Sequence, residues 1–151
     1  VLALNIYRQR QLLKEYFFPV LAGCFTGCLT SLGSILLLCK LLSVDSVIAS
    51  SLLPKSVTTA IAVAISDSNG GIQGITVTAV LVAGVIGAIF APLFAKLFRV
   101  TDPVAEGVAI GACSHALGTS KAMEIGALQG AMSSIALCVC GIMTSIIIMF
   151  F

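Results

Sequence analysis

The chain has 151 residues, 59% of them hydrophobic and only 9% charged, with a mean hydropathy of +1.16 and a formal net charge of +2. A water-soluble domain needs about a quarter charged residues to cover its wet surface, so this composition excludes that class and points to an integral membrane protein. A net charge this small gives no ground for a nucleic-acid partner.

Val1-Leu2-Ala3-Leu4 opens the chain without a methionine, and the basic residues follow that apolar stub instead of preceding it. No signal peptide is legible, and the start reads as the remnant of an earlier, missing span. Arg8, Arg10 and Lys14 then sit just ahead of the first apolar run, which places this end in the cytoplasm by the positive-inside rule. A basic interfacial segment from Tyr7 to Lys14 is the other reading. Three stretches lack Asp, Glu, Lys and Arg altogether: Tyr16 to Cys39, Ser68 to Ala95 and Ile125 to Phe151. Each exceeds the roughly 20 helical residues that cross a ~30 Å hydrocarbon core. The predicted spans are 17–39, 72–95 and 131–151, separated by polar breaks at about 44–66 and 103–126.

The unit of span plus break recurs with a period of about sixty residues, with Gly70-Gly71 and Gly126 to Gly130 at comparable places. Paired, interrupted hydrophobic segments in repeated units are the sequence sign of a secondary transporter. Each break is either a discontinuous crossing helix or a re-entrant hairpin. If the first is re-entrant, the loop carrying Lys96 and Arg99 returns to the cytoplasm, and the two breaks enter from opposite faces to meet near the midplane. The expected fold is all-α: a polytopic transmembrane helical bundle with two interrupted or re-entrant segments, forming one domain over residues 1–151.

Glycine pairs at Gly23/Gly27, Gly107/Gly111 and Gly126/Gly130 read as close helix-packing faces. Pro19 and Pro92 read as helix-start and kink signals. Cys24, Cys28, Cys39, Cys138 and Cys140 fall within or at the ends of apolar runs and read as small hydrophobes. With no partner histidines or carboxylates near them, they make no metal site. Cys113, beside Ser114 and His115, reads as the lining of a polar pocket.

The chemistry is concentrated in the breaks. In the first, Pro54 fits the opening turn of a helix, which makes Lys55 to Thr59 that turn, with unpaired N–H groups and the positive end of the dipole exposed. Lys55, Ser56, Thr58 and Thr59 would then cradle a carboxylate; a lysine that snorkels to a headgroup is the bland alternative. The second break supplies Ser114, His115, Gly118, Thr119 and Ser120 as further substrate-lining residues. His115, the lone histidine, could be a structural donor or a proton-coupling group, with Glu124 as another. Lys121 and Glu124, spaced i, i+3, can also neutralise each other. Asp67, Asp102 and Glu106 stand at segment ends, where capping or exposed roles are expected.

The strings Ser51-Leu52-Leu53-Pro54-Lys55-Ser56-Val57-Thr58-Thr59, Asp102-Pro103-Val104-Ala105-Glu106-Gly107, Ser114-His115-Ala116-Leu117-Gly118-Thr119-Ser120-Lys121-Ala122 and Gly130-Ala131-Met132-Ser133-Ser134 resemble the LrgB/CidB family of bacterial membrane proteins. Val1 to Leu13 resembles the family's junction after an earlier span, so the chain would be the C-terminal part of a longer family domain. Ala60 stands where the family often has a proline. The resemblance implies either transport of a small monocarboxylate of the pyruvate, glycolate or glycerate class, as in similar plastid translocators, or an antiholin-like regulator of murein-hydrolase export and lysis. It further implies the bacterial cytoplasmic membrane, a homo-oligomer and a small LrgA/CidA-type membrane partner; no cofactor is expected, because the sequence carries no cofactor motif and no phosphate-binding glycine loop. An enzyme is disfavoured on the residues themselves, which offer no Ser/His/Asp set, zinc motif or carboxylate dyad.

Overall fold

A computed structural model of the chain describes residues 14–150. Arg8, Arg10 and the junction-like stretch 1–13 lie outside the described residues. Among these residues six helices follow one another: α1 (Phe17–Leu41), α2 (Ser46–Leu52), α3 (Thr59–Ser68), α4 (Gln73–Leu97), α5 (Pro103–Ile125) and α6 (Ala127–Ile148). No strand occurs among the described residues. The fold is all-helical, and α1, α4 and α6 are long and apolar enough to cross a membrane. These are the three predicted spans to within a few residues, because a charge-free run of this length has only one low-energy conformation in lipid.

Side-chain contacts fix the directions of the helices. Gly23 and Gly27 of α1 pack on Val108 and Ala112 of α5, and the Cys24 and Cys28 thiols face the Ala136 and Cys140 carbonyls of α6. α1 therefore runs parallel to α6 and to the first arm of α5. Gly87 of α4 meets Ser114, and further along α4 Phe94 and Phe98 share a cleft with Ala109 and Glu106, so α4 runs the opposite way.

α5 does not continue straight. His115 has φ 39° and ψ −136°, which breaks the helix and turns it back. Gly107 and Gly111 in the first arm pack on Gln129 and Ser133 of α6, while Met123 in the second arm packs on Gly130. Two arms that ascend and then descend along the same end of α6 make a helical hairpin. α2 and α3 form another hairpin, first in chain order, that enters from the opposite end: α2 follows the far end of α1, the turn at 53–58 reaches Ser31 in the middle of α1, and α3 climbs back beside α6 from Gly141 to Ile148. The pairing of α1 with the first hairpin, and of α4 with the second, is inverted in direction, as expected if the breaks are re-entrant from opposite faces.

One sequence expectation is corrected here. Lys55 to Thr59 are not the opening turn of a helix. Pro54 is buried inside a turn, where its missing N–H ends α2, and i→i+3 bonds from Lys55 N to the Leu52 carbonyl (3.2 Å) and Val57 N to the Pro54 carbonyl (3.3 Å) wind the chain until α3 starts at Thr59.

Two devices hold the hairpins. Where α2, α3 and α4 meet, Ile72 N–H donates to Ser51 Oγ (2.7 Å) and Thr76 Oγ1 lies 2.7 Å from Ser66 Oγ, all three hydroxyls fully buried. Gly71 is required there because a Cβ would overlap the Ser66 hydroxyl. In the α5 hairpin, a Cβ on Gly111 would overlap the Ser133 carbonyl oxygen. Gly111→Ala should therefore lower stability in detergent by about 1–3 kcal/mol through overpacking. Gly33→Ala, at a site with no neighbour within 4 Å, should be neutral or stabilising by up to about 1 kcal/mol. Thermal or denaturant melts of the two variants against the parent check the contrast.

Candidate functional site

The tips of the two hairpins come together in the middle of the bundle. Ser56 shares a small enclosed cavity with Ala112, Cys140 and Thr144, and Lys55 lines a cleft with Cys113 and Ser114. Breaks that lie so far apart in sequence meet because each arm of a hairpin is about half the length of a crossing helix.

Lys55 is partly buried, and its ammonium donates to Ser56 Oγ (3.0 Å) and Ser31 Oγ (3.3 Å), which lie 2.8 Å from one another. No carboxylate lies within salt-bridge range; the one ion pair among the described residues is Lys121–Glu124. Hydroxyl dipoles orient the ammonium and leave its positive charge uncompensated, which favours an anion as the missing partner. The start of α3, next in the chain, is also open. Thr58 makes no side-chain capping bond, and the first helical bond is Ala62 N to the Thr58 carbonyl (2.8 Å). The amides of the first turn thus remain donors with no partner in the helix.

Two clefts along α4 meet at Lys55. One, of about 700 Å³, runs past Gly74, Thr78 and Val82 toward the α4 N-terminus. The other, of about 360 Å³, runs past Gly87, Ala91 and Phe94 toward its C-terminus and is closed on the other side by Glu106, Ala109, Ile110, Cys113 and Ser114 of α5. Lys55 and Ala83 line both. Ser114 is 2% exposed, and its hydroxyl makes no hydrogen bond among the described residues, so it offers an unused donor and acceptor to the second cleft. That volume lies in the range of small-molecule sites.

The remaining residues expected in the second break are used internally. His115 Nε2 lies 2.7 Å from the Val80 carbonyl of α4. A carbonyl only accepts, so Nε2–H is the donor and the ring is clamped to α4. Thr119 Oγ1 lies 2.8 Å from the His115 carbonyl and 2.9 Å from Ser133 Oγ. These bonds hold a non-glycine residue in a left-handed region that costs about 1–3 kcal/mol. Gly118 is buried against Ser114 and Ile110, Ser120 is exposed and bonds its own helix at Ala116, and Glu124 is paired with Lys121 at 2.8 Å on an exposed face. His115, Gly118, Thr119, Ser120, Thr58 and Thr59 do not line either cleft, and Ser56 lines only the small enclosed cavity. Cys113 does, as the lining of a pocket. Asp102 caps α5 by accepting from Val104 N (3.0 Å), and Asp67 accepts from Gln73 Nε2 (3.1 Å) at an exposed end.

Three residues that complete the site carried little signal in the sequence. Ser31 is one hydroxyl in a charge-free run. Gly84 and Gly87 of α4 are spaced i, i+3, outside the small-xxx-small scan. A Cβ on Gly84 would overlap the His115 ring and one on Gly87 the Ser114 side chain, so these glycines form the seat of the second hairpin tip.

A model of the LrgB-like family matches residues 1–151. The chain is 39% identical to the antiholin-like protein LrgB of Bacillus subtilis (strain 168) over 146 residues, covering 97% of this chain and 63% of the relative. It is also 39% identical to the proteins of the same name from Bacillus mycoides (strain KBAB4) and Bacillus cereus (strain B4264) over 149 residues, 99% of this chain and 65% of each relative. The chain thus spans less than two thirds of the length of these relatives. No solved structure matches it.

If Gly84 exists to seat the imidazole, Gly84→Ala should destabilise the protein by about 1–3 kcal/mol, and the same change should cost less than half as much in a His115→Gly background. Melts of the four proteins in this cycle decide it: additivity to within about 0.3–0.5 kcal/mol would show that the glycine and the ring are uncoupled.

Proposed function

The chain belongs to the LrgB-like family, and from that premise we propose that it is the core of a membrane carrier for small monocarboxylates, working at the meeting point of its two hairpins. One observation carries the reading: Lys55, a cation without a counter-charge, stands where two clefts from opposite ends of α4 meet. A lysine at mid-depth costs about 2.5–3.5 kcal/mol on insertion scales, so it is retained only for a purpose. A carboxylate arriving from either cleft meets the ammonium, and from the second cleft the Ser114 hydroxyl as well, and it neutralises the buried charge. Inverted hairpins around one central site are the usual ground plan for alternating access.

The charges set the orientation. Lys14, Lys96, Arg99 and Lys121 lie toward the end of the bundle where α1 and α5 begin, against Lys40 at the other, which makes the former end cytoplasmic. With Ser120 and Thr119 turned away from the clefts, the binding role in the second break falls to Ser114, and His115 serves as its support.

The second reading is favoured by the names of the relatives, which call them antiholin-like, and those names support a regulator of lysis better than a carrier. In that case the hairpins would form or block a pore with a membrane partner, and Lys55 would have no selective solute. Uptake of labelled pyruvate, glycolate and glycerate into vesicles carrying the full-length protein separates the two. The carrier takes up at least one in a saturable manner. Lys55→Met should reduce that uptake at least tenfold with the fold intact, and Lys55→Arg should keep part of it. Normal uptake kinetics in Lys55→Met would remove the residue from the site, and movement of none of the three under any ion gradient would favour the regulator.

A further inference from the structure

The cleft that runs from Lys55 toward the cytoplasmic end of α4 is polar at its two ends and apolar between them. Its inner end holds the Lys55 ammonium, the Cys113 thiol and the Ser114 hydroxyl, which is buried and makes no hydrogen bond among the described residues. Its outer end holds Glu106, whose carboxylate accepts from Gln129 Nε2 of α6 (3.2 Å). On the α4 side Ala83, Gly87, Ala91 and Ala95 recur at every fourth residue, so one stripe of small residues forms the floor along roughly 18 Å of helix. Seven helical residues separate Cys113 from Glu106, roughly 10 Å at 1.5 Å per residue. Between those two levels no lining side chain carries a nitrogen or an oxygen. The cleft on the other side of Lys55 is alike, since its one hydroxyl, Thr78, donates to the Gly74 carbonyl of its own helix (2.8 Å). A stripe of small residues alone would be a packing seam. Here an unbonded buried hydroxyl and an ammonium without a counter-charge stand at its head, and both point to a ligand.

We propose that this site selects carboxylates with an unbranched, unhydroxylated tail: the carboxylate sits at Lys55 and Ser114, and the tail lies along the small-residue groove of α4, ending short of Glu106. The inference rests on the carrier reading above and names its substrate class. Recognition divides between the two parts of the ligand. The carboxylate exchanges water for an ammonium and a hydroxyl, a charge-assisted pairing that any carboxylic acid can make. Each methylene of the tail leaves water for an apolar wall, which tightens binding about three- to fourfold. A hydroxyl on the tail gives up its water and meets no donor or acceptor in the groove, which weakens binding about ten- to a hundredfold. A second carboxylate fares worse, because it would enter the apolar stretch facing the charge of Glu106. Glu106 also limits the length of the groove, so its occupant is a short, water-soluble acid and not a fatty acid of the bilayer.

The test uses the full-length protein in vesicles, with the same pH on both sides and the signal of empty vesicles subtracted. Uptake of whichever of labelled pyruvate, glycolate and glycerate is carried is competed with unlabelled acids: the straight-chain series from acetate to hexanoate, decanoate, and the β-hydroxy derivative of butyrate. Butyrate should compete at least tenfold more strongly than its β-hydroxy derivative. The half-inhibitory concentration should fall about threefold per methylene from acetate to hexanoate and level off by decanoate, whose tail exceeds the ~10 Å apolar stretch. Ala91→Leu fills the groove floor, and the advantage of hexanoate over acetate should shrink at least tenfold in that variant. Ala91→Ser adds one hydroxyl to the floor and should bring the β-hydroxy acid at least threefold closer to butyrate; it decides the case alone if Ala91→Leu is not monodisperse. Hydroxylated acids that compete as well as their parents would overturn the proposal while leaving a carrier in place. So would a gain per methylene that continues through decanoate and ignores both substitutions, because the tail would then lie in lipid. Movement of none of the three labelled acids removes the carrier reading itself and this proposal with it, a result distinct from the other two.

Discussion

Backbone groups released inside a bilayer have no water to bond, and this constraint governs the whole structure. Helices that cross the hydrocarbon satisfy themselves, but a chain that stops halfway and turns back leaves amides and carbonyls that must find partners within the protein. Here two such turns are placed against each other, so that each lies in protein and not in lipid. The second tip is paired through His115 to the Val80 carbonyl and through Thr119 to the His115 carbonyl and Ser133. The first is tied to α1 by Ser31 and to α4 by the Ser51 and Ser66–Thr76 bonds. Among the described residues no fully enclosed side-chain nitrogen or oxygen lacks a partner; the Ser114 hydroxyl, unbonded, opens onto a cleft.

Close approach follows from the same constraint. Lipid tails are as apolar as leucine, so helices associate through packing and short polar contacts, and small residues at the seams let backbones touch. Gly107 and Gly111 bring the first arm of α5 onto the α6 backbone, while Gly84 and Gly87 admit the strained tip. The Cys24, Cys28 and Cys140 thiols fill the α1–α6 seam as small hydrophobes that also reach carbonyls across it. What this framework leaves unsatisfied is informative: the Lys55 ammonium lacks a counter-charge, and the Ser114 hydroxyl faces a cleft unused. A framework that satisfies nearly everything else sets these two groups apart, and the proposed carboxylate site is built on them.

The sequence makes the three spans and the two breaks legible because charge and its absence are first-order signals in a membrane. Span ends agree with the helices to within a few residues. The opposed entry of the hairpins was readable only from the placement of Lys96 and Arg99, and the helical directions agree with that reading. Less legible was the interior of each break. Pro54 can open a helix or end one, and composition does not separate the two, so Lys55 to Thr59 reads in the sequence as a helix start although the structure makes 53–58 a turn. In the second break, the polar residues formed one apparent cluster, but a reversal at His115 sends neighbours in sequence to different surroundings: Ser114 to the cleft, Thr119 to Ser133 and Ser120 to the exterior. The i, i+3 glycines of α4 carry a meaning that depends on a partner thirty residues away, roughly the reach of one span and its loop, and no local pattern encodes it.

The account depends most on the two hairpin tips being in contact, and a cross-link between them tests this most directly. In a cysteine-free background, Ser56→Cys and Ala112→Cys, which line one small cavity, should be joined in high yield by a short bifunctional thiol reagent in native membranes. A Thr119→Cys/Ser133→Cys pair, whose parent hydroxyls lie 2.9 Å apart, serves as the positive control between the second hairpin and α6. Efficient linkage of both pairs is the predicted result. Linkage of the control alone would contradict the account, because the hairpins would then lie apart and Lys55 would not face the second break.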